Sequence, residues 1–579
     1  MKVTVTGIDD KEIVSIIESS IITSKNKDIL SDDSISLEYR INRDVLFIQS
    51  VLKSFGYFDA EIKISKDNET VMFEVVLNDR YKINDVLLLY QDYPEYSSGI
   101  KVGEVFDLLC IEFDSYTNTK QISEAVEKLK IFYKERGFAF VEIDSPKLEI
   151  DKDNKKFKVI FKITLNKKVI LDRSEIIMKF EKGQKDLNKL FIKNRMEWKD
   201  GDVYDCRKIE ETKENLMKTG IFSSADVEVV DKINDEKDKN VVRTKAVIKT
   251  EEAKQRDISV GASFGTTEGI GCNFTWSYYN IDGKGSRFST VTSITKETQT
   301  QRLKYTIPDV FYKKERLENQ VYVTRENVHA YTVKKLVGES ILWHEVASKT
   351  ELGLGLCAET SKTKDKVDTE YDKFKAAGIP IGFNFDNTNV YLDPQSGFRC
   401  FAMATPYMCK QKLVSFDAKG SFYIPFSKNT HDNRVVIACY SRLGAMLCAK
   451  KNIVPRDKMF FGGGASSIRG YGYQMLGEIN DDKKPLGGES VFEIGVEPRI
   501  KVSENFGIVT FIEGGNVYKS RIPKLNKKLL WGGGLGIRYY TPLGPIRFDI
   551  AFPFKRRKTS TNKKIDSLFN IYISIGQAF

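Results

Sequence analysis

The stretch PIRFDIAFPF (545–554) alternates with a period of two. Ile546, Phe548, Ile550 and Phe552 fall on one face, and Arg547, Asp549 and Ala551 on the other. FNIYISIGQAF (569–579) repeats the pattern, with Phe569, Ile571, Ile573, Ile575 and Phe579 opposite Asn570, Tyr572, Ser574, Gly576 and Ala578. Successive side chains of a strand point to opposite faces, so this pattern is a strand with one apolar and one polar or small-residue face. From about residue 253 onward it replaces helical periodicity altogether. Two architectures accommodate it: a soluble sandwich, or a barrel with lipid outside and water within. The length of the region favours the barrel, because it supplies about 16 strand-plus-turn units at about 20 residues each. The last strand also carries its apolar face to a terminal aromatic, Phe579. A soluble sheet would blunt such an edge, whereas a barrel closes it against its first strand.

Composition agrees with that choice and narrows the chemistry. No run of 18 apolar residues is present, so no transmembrane helix is expected. Barrel strands of about ten alternating residues barely register in bulk hydropathy. The net charge of +11 is dispersed among acids, which reads as a solvated, mildly basic surface rather than a nucleic-acid footprint. Eight cysteines (110, 206, 272, 357, 400, 409, 439, 448) form no CxxC pair, and there are three histidines. That is a poor kit for metal binding or acid–base catalysis, and free thiols packed on strands are expected. No P-loop offers a nucleotide site. The opening MKVTVTGIDDKE reads as a strand and turn, without the apolar core of a signal peptide. GASFG (261–265) matches the GxSxG nucleophile elbow, which requires a strand, a sharp turn and a helix. Here Ser263 sits within the alternating DISVGASFG, and TTEGIGCNFTWSYYN reads as a turn and another strand. A barrel strand is the expectation, with a hydrolase as its rival.

Residues 1–252 have a different character. LKSFGYFDAEIKIS (52–65), YKERGFAFVEIDS (133–145) and LMKTGIFSSADVEVV (216–230) each place a glycine after an amphipathic helix and before an alternating strand. Gly56, Gly137 and Gly220 lie about 82 residues apart and suit left-handed helix C-caps. A second strand follows each time (70–77, 156–165, 241–250), and an opening strand precedes each helical stretch. The unit is β-α-α-β-β in three copies, bounded at 1–79, 80–167 and 168–252, before a barrel over 253–579.

Three such repeats before a barrel resemble the BamA/TamA superfamily of outer-membrane assembly proteins, and the repeats are similar to its POTRA domains. SSIRGYGYQMLG resembles the family's loop that folds back into the barrel lumen, here within about 459–480. NIDGKG (280–285), DNTNVYLDPQSGFR (386–399), FIEGGNVY (511–518) and YYTPLGPIRFDIA (539–551) follow in family order. The repeat count and the wording of the loop point to the TamA branch. The resemblance implies a 16-stranded antiparallel transmembrane barrel in the bacterial outer membrane, with the repeats in the periplasm. It implies no enzymatic activity, cofactor, nucleotide or nucleic acid. Its partners would be outer-membrane lipid, nascent outer-membrane β-barrel proteins including autotransporters, and a TamB-like inner-membrane-anchored protein at the first repeat. A BamA-like general insertase, a two-partner secretion pore and a lipid or solute channel are the alternatives.

Two residue sets carry this reading. Alternation points Glu493, Glu497, Phe511, Glu513 and Gly515 inward, where Arg469 of a tucked-in loop would meet them. Arginine stays charged and presents a planar fork to carboxylates. In the family the loop arginine docks on a Phe-x-Asp-x-Gly strand. Here Glu513 stands in the aspartate place, leaving the partner open between Glu513 and Glu497. Gly462–Gly464 would let the loop turn, Gly470 follows the arginine, and Tyr471 and Tyr473 would pack against the wall. The second set is the seam between first and last strands: Ile258, Val260, Gly261 and Ala262 against Ile573, Ile575, Gly576 and Phe579. Gly576 would weaken pairing there, and a seam that opens could template an incoming strand through backbone hydrogen bonds.

Overall fold

A computed structural model describes the chain except residues 1, 22–33, 67–69, 93–107, 110–113, 117, 181–185, 231–240, 367–370, 391, 410–411, 427–433, 449–453, 527, 543, 561 and 576–579. The first repeat runs as strand Lys2–Thr6, helices Lys11–Ser20 and Ser34–Ser54, then strands Glu61–Lys66 and Thr70–Val76. Asp10 caps the first helix by accepting the Glu12 N–H at 2.9 Å. Ile13, Ile17, Ile48 and Leu52 share the helical faces that pack on Val71, Phe73 and Val75. Alternation along the Thr70–Val76 strand buries one face in this way. This strand lies centrally, parallel to Lys2–Thr6 and antiparallel to Glu61–Lys66.

The second repeat comprises strand Lys82–Tyr90, helix Thr119–Lys134 and strands Glu142–Ile143, Lys147–Asp151 and Lys156–Thr164. Its expected first helix falls outside the described residues. A reciprocal Asn118–Gln121 capping box starts the described helix. In the third repeat, strand Lys168–Lys179, helix Lys189–Lys193, a short strand Asp202–Val203 and helix Cys206–Met217 precede strands Phe222–Val229 and Val241–Glu252. Gly56, Gly137 and Gly220 all have positive φ, as their helix-terminating role requires. Repeats one and two meet at Asp59, which accepts from Tyr81 Oη and pairs with Lys155 Nζ at 3.0 Å. These two donors, Tyr81 foremost, hold the Asp59 carboxyl below the ordinary range.

Compactness divides the chain into two units. One contains Met1–Met178, Met196–Asn215 and Ala225–Thr250, and the other Lys179–Arg195, Leu216–Ser224 and Glu251–Phe579. The second unit is a closed antiparallel barrel from Arg256–Gly265 to Asn570–Ile575. One stave is broken: Tyr371–Gly378 and Ile381–Asp386 both pair with Thr350–Asp365 and with Gly397–Met408. Pro380, which has no N–H to give the ladder, sits at the break. Counting the two halves as one stave gives 16 strands.

Burial in this unit is inverted relative to a soluble sheet. On Gly544–Pro553, Ile546, Phe548 and Phe552 are exposed, while Arg547, Asp549 and Ala551 are buried. Apolar side chains on the outside and charges on the inside are what a lipid-facing wall demands. No helix among the described residues is long and apolar enough to cross a membrane. Ser263 lies inside the first barrel strand and is followed by a turn and the strand Gly269–Tyr279, so the strand–turn–helix geometry of a nucleophile elbow is absent there. Cys206, Cys272, Cys357, Cys400, Cys409 and Cys439 are free thiols.

Candidate functional site

Strands Val435–Cys448 and Ser490–Lys501 are joined by a long loop that is itself folded. Within it, Gly464 N–H donates to Tyr471 O at 3.0 Å, and Leu476 N–H donates to Gly462 O at 2.8 Å. Its apolar side chains Phe460, Ile468, Tyr471 and Leu476 pack on Leu413, Met446, Val491 and Val517 of the wall. Tyr473 packs against the cluster of Val328, Ala330, Tyr331 and Val333. At its start, Arg456 Nε meets Asp365 Oδ2 at 2.5 Å and Lys458 pairs with Glu359. The loop therefore packs against several walls of the barrel.

Arg469 is fully buried and is bound by three carboxylates. Its backbone N–H and Nε donate to the two oxygens of Glu513 at 2.7 and 2.8 Å. Its Nη1 donates to Asp549 Oδ2 at 2.8 Å and its Nη2 to Glu497 Oε2 at 2.7 Å. The guanidinium lies 3.4 Å from the centroid of the Phe511 ring, a cation–π stack. Around this core, Arg499 pairs with Glu497 at 2.9 Å, Arg538 with Asp549 at 2.5 Å and Arg547 with Asp549 at 3.9 Å. Four guanidinium groups thus face three carboxylates, which compensates charges that would otherwise be costly to bury.

Gly470 is required by close approach. A Cβ there would stand 2.8 Å from Phe552 O and 3.0 Å from Gly532 Cα. Gly515 is buried on the same strand as Phe511 and Glu513, beside Glu493 in register. Glu493, although inward, takes Ser467 Oγ rather than the arginine. The choice left open between Glu513 and Glu497 resolves to both, with Asp549 as a third partner that the sequence reading did not assign. Alternation had already placed Asp549 inward. It could not show that Asp549 lies at the height of Arg469, because strand stagger sets that.

The longer Glu513 reaches both the backbone and Nε of Arg469. Glu513→Asp should therefore lose one of these two bonds and weaken loop docking by about 1–3 kcal/mol. Protease susceptibility of the loop, compared between the two proteins, measures that; unchanged susceptibility would mean that reach is irrelevant.

The seam is described in part, because residues 576–579 of the last strand lie outside the described residues. Among described residues the first and last strands register only through Ser263↔Ser574, Phe264↔Ile573 and Gly265↔Tyr572, extended by Thr266 N–H to Ile571 O at 3.0 Å. Ten registered pairs join the first strand to the second. Ile258, Val260, Gly261 and Ala262 pair on that second-strand side, with Trp276, Phe274, Asn273 and Cys272. Ile575 registers with Ile546 of the preceding strand. Of the expected seam residues only Ile573 makes a described seam pair, and Gly576 and Phe579 lie outside the described residues. Alternation assigns faces but not register, so it identified the lipid-facing residues and missed Ser263, Phe264, Gly265, Tyr572 and Ser574.

The sequence pattern described as the Omp85 superfamily domain matches residues 280–579. The pattern described as POTRA, surface antigen variable number repeat, matches residues 97–165 and 178–249. A relative, the outer membrane protein assembly factor BamA of Nitratidesulfovibrio vulgaris, is 23% identical over 89% of this chain. The chain spans only 65% of that relative's length. BamA of Neisseria meningitidis is 19% identical over 90% of this chain and 71% of its own length. Among solved structures, BamA from Haemophilus ducreyi lacking POTRA domains 1–3 superposes with a TM-score of 0.58 at 17% identity, covering 86% of this chain and all of that one. CdiB from Acinetobacter baumannii gives a TM-score of 0.50 at 13% identity, covering 99% of this chain and all of that one. At these identities both structures speak for the fold alone.

Proposed function

This chain belongs to the Omp85 superfamily, and from that premise we propose that it inserts β-barrel proteins, autotransporters among them, into the bacterial outer membrane. The observation that carries this reading is that the barrel closes between its first and last strands, where a lumen loop anchored by Arg469 is bonded to both sides of the closure. A strand edge freed at that closure can be lent to an incoming strand, with backbone hydrogen bonds supplying affinity and little sequence code. The client's own folding into lipid supplies the driving force. Relatives that are outer membrane protein assembly factors support the general activity. The TamA branch within it is supported by three repeats and by the IRGYGY loop.

On this reading the repeats lie in the periplasm and the first of them meets a TamB-like inner-membrane-anchored partner. That repeat's second helix exposes Tyr39 and Leu46, two turns apart on one face, where a partner could dock. No chemistry is performed. A solute channel is disfavoured because the folded loop packs across the lumen wall and an ionic cluster holds it.

Reconstitution provides the test. Liposomes carrying this protein should speed the folding of a labelled autotransporter barrel relative to empty liposomes. Equal folding with and without the protein would sink the reading.

A further inference from the structure

The lumen loop is bonded to both banks of the seam. On the first-strand bank, the turn Thr266–Glu268 faces it. Glu268 Oε1 accepts the Ala465 N–H at 2.8 Å, and Thr267 Oγ1 accepts the Tyr473 N–H at 3.1 Å. Packing here is tight: a Cβ on Gly464, whose φ is +101°, would stand 2.3 Å from Glu268 Oε1. On the last-strand bank the loop presents carbonyls instead. Tyr572 Oη donates to Arg469 O at 2.9 Å and Asn570 Nδ2 to Gly470 O at 3.1 Å. The segment leading into the last strand adds Arg557, which is paired with Asp566. Its Nη1 donates to Gly477 O at 2.9 Å, and its guanidinium lies 5.0 Å from the centroid of the Tyr471 ring.

We infer that the loop is a staple across the seam, and that Thr267 and Glu268 form the bank that releases. The asymmetry argues for this side. Two bonds to one half-buried turn face a last-strand bank reinforced by Tyr572, Asn570, Arg557 and the buried carboxylates around Arg469. When the turn lets go, the first strand keeps its pairing to the second strand, and its pairs with the last strand at 263–266 lose the loop's support. The loop stays docked. The seam then opens from the loop end, presenting the first strand's free edge. This deepens the proposed function and rests on its reading of the seam as the place where client strands are handled.

Hydrogen exchange read by mass spectrometry on the full chain in lipid nanodiscs tests it, comparing wild type with Glu268→Ala and Thr267→Val. Amides at 263–266 and 571–574 should exchange about ten-fold faster or more in the variants. Amides at 468–477 and 490–517 should keep wild-type protection. Unchanged seam exchange overturns the staple. Equal loss across 468–477 overturns the assignment of Thr267 and Glu268 as the releasing bank. Thr267→Val makes the smaller change and carries the comparison if Glu268→Ala gives no folded barrel. Client insertion measured on the same variants separates the two readings. A loosened seam with unaltered insertion leaves the staple standing and overturns the reading of the seam as the place where client strands are handled. An unaltered seam with lost insertion does the reverse.

Discussion

Replacing Arg469 with alanine is expected to free the lumen loop and abolish client insertion. The side chain is fully buried, so none of its bonds is replaced by water at low cost. Its loss leaves Glu497 with Arg499 at 2.9 Å and Asp549 with Arg538 at 2.5 Å. Glu513 keeps the backbone N–H of residue 469 but loses the Nε bond and the cation stacked over Phe511. Breaking a buried ion pair by deleting one partner costs about 3–5 kcal/mol, because the other charge is left uncompensated. At about 1.4 kcal/mol per decade, the docked fraction of the loop should fall relative to the free one by roughly two to three and a half orders of magnitude. Chymotrypsin should then cut after Tyr471 and Tyr473, which packing protects in the native protein. Arg469→Lys should fall between the two. A single ammonium keeps the charge but cannot serve three carboxylates in one plane. Wild-type resistance to cleavage in Arg469→Ala would show that the loop's own fold, not the arginine, holds it.

A disulfide across the seam is expected to stop insertion outright. Ser263 and Ser574 are in register. Because Thr266 N–H donates to Ile571 O, the alternation of antiparallel pairing makes 263/574 a non-hydrogen-bonded pair. Such pairs hold their Cα atoms about 4.5 Å apart, inside the range of about 4.4–6.8 Å that disulfides accept. The double variant Ser263→Cys with Ser574→Cys, in a background without the eight native cysteines, should work when reduced. When oxidised it should fold clients no faster than empty liposomes, and reductant should restore the rate. Ser574 also accepts from Arg547 Nε at 2.6 Å, so the reduced protein is the necessary reference. Full activity in the locked form would remove lateral opening from the mechanism.

Much of the architecture was legible in the chain. Period-two alternation depends only on side chains pointing to alternate faces, so it gave the barrel, its inward Glu497, Glu513 and Asp549, and its outward Ile546 and Phe548. The glycines at 56, 137 and 220 marked the repeats because each ends a helix with a positive φ. The Arg469 loop stood out because glycines and one arginine between tyrosines suit neither a core helix nor a linker. Less of the site was legible. Lys458 with Glu359, and Arg456 with Asp365, are pairs separated by long stretches of sequence, and neither member carries a local signal.

The sequence by itself determined which faces of each strand meet lipid and which meet the lumen, because one period of two residues settles that locally. Only the tertiary structure decided which inward residues share a height. Closing the barrel with a particular stagger brings Glu497, Glu513 and Asp549 to a single arginine, and it leaves Ser263–Gly265 as the described pairing that closes the seam. Strand stagger is a property of the closed sheet, so no single strand encodes it.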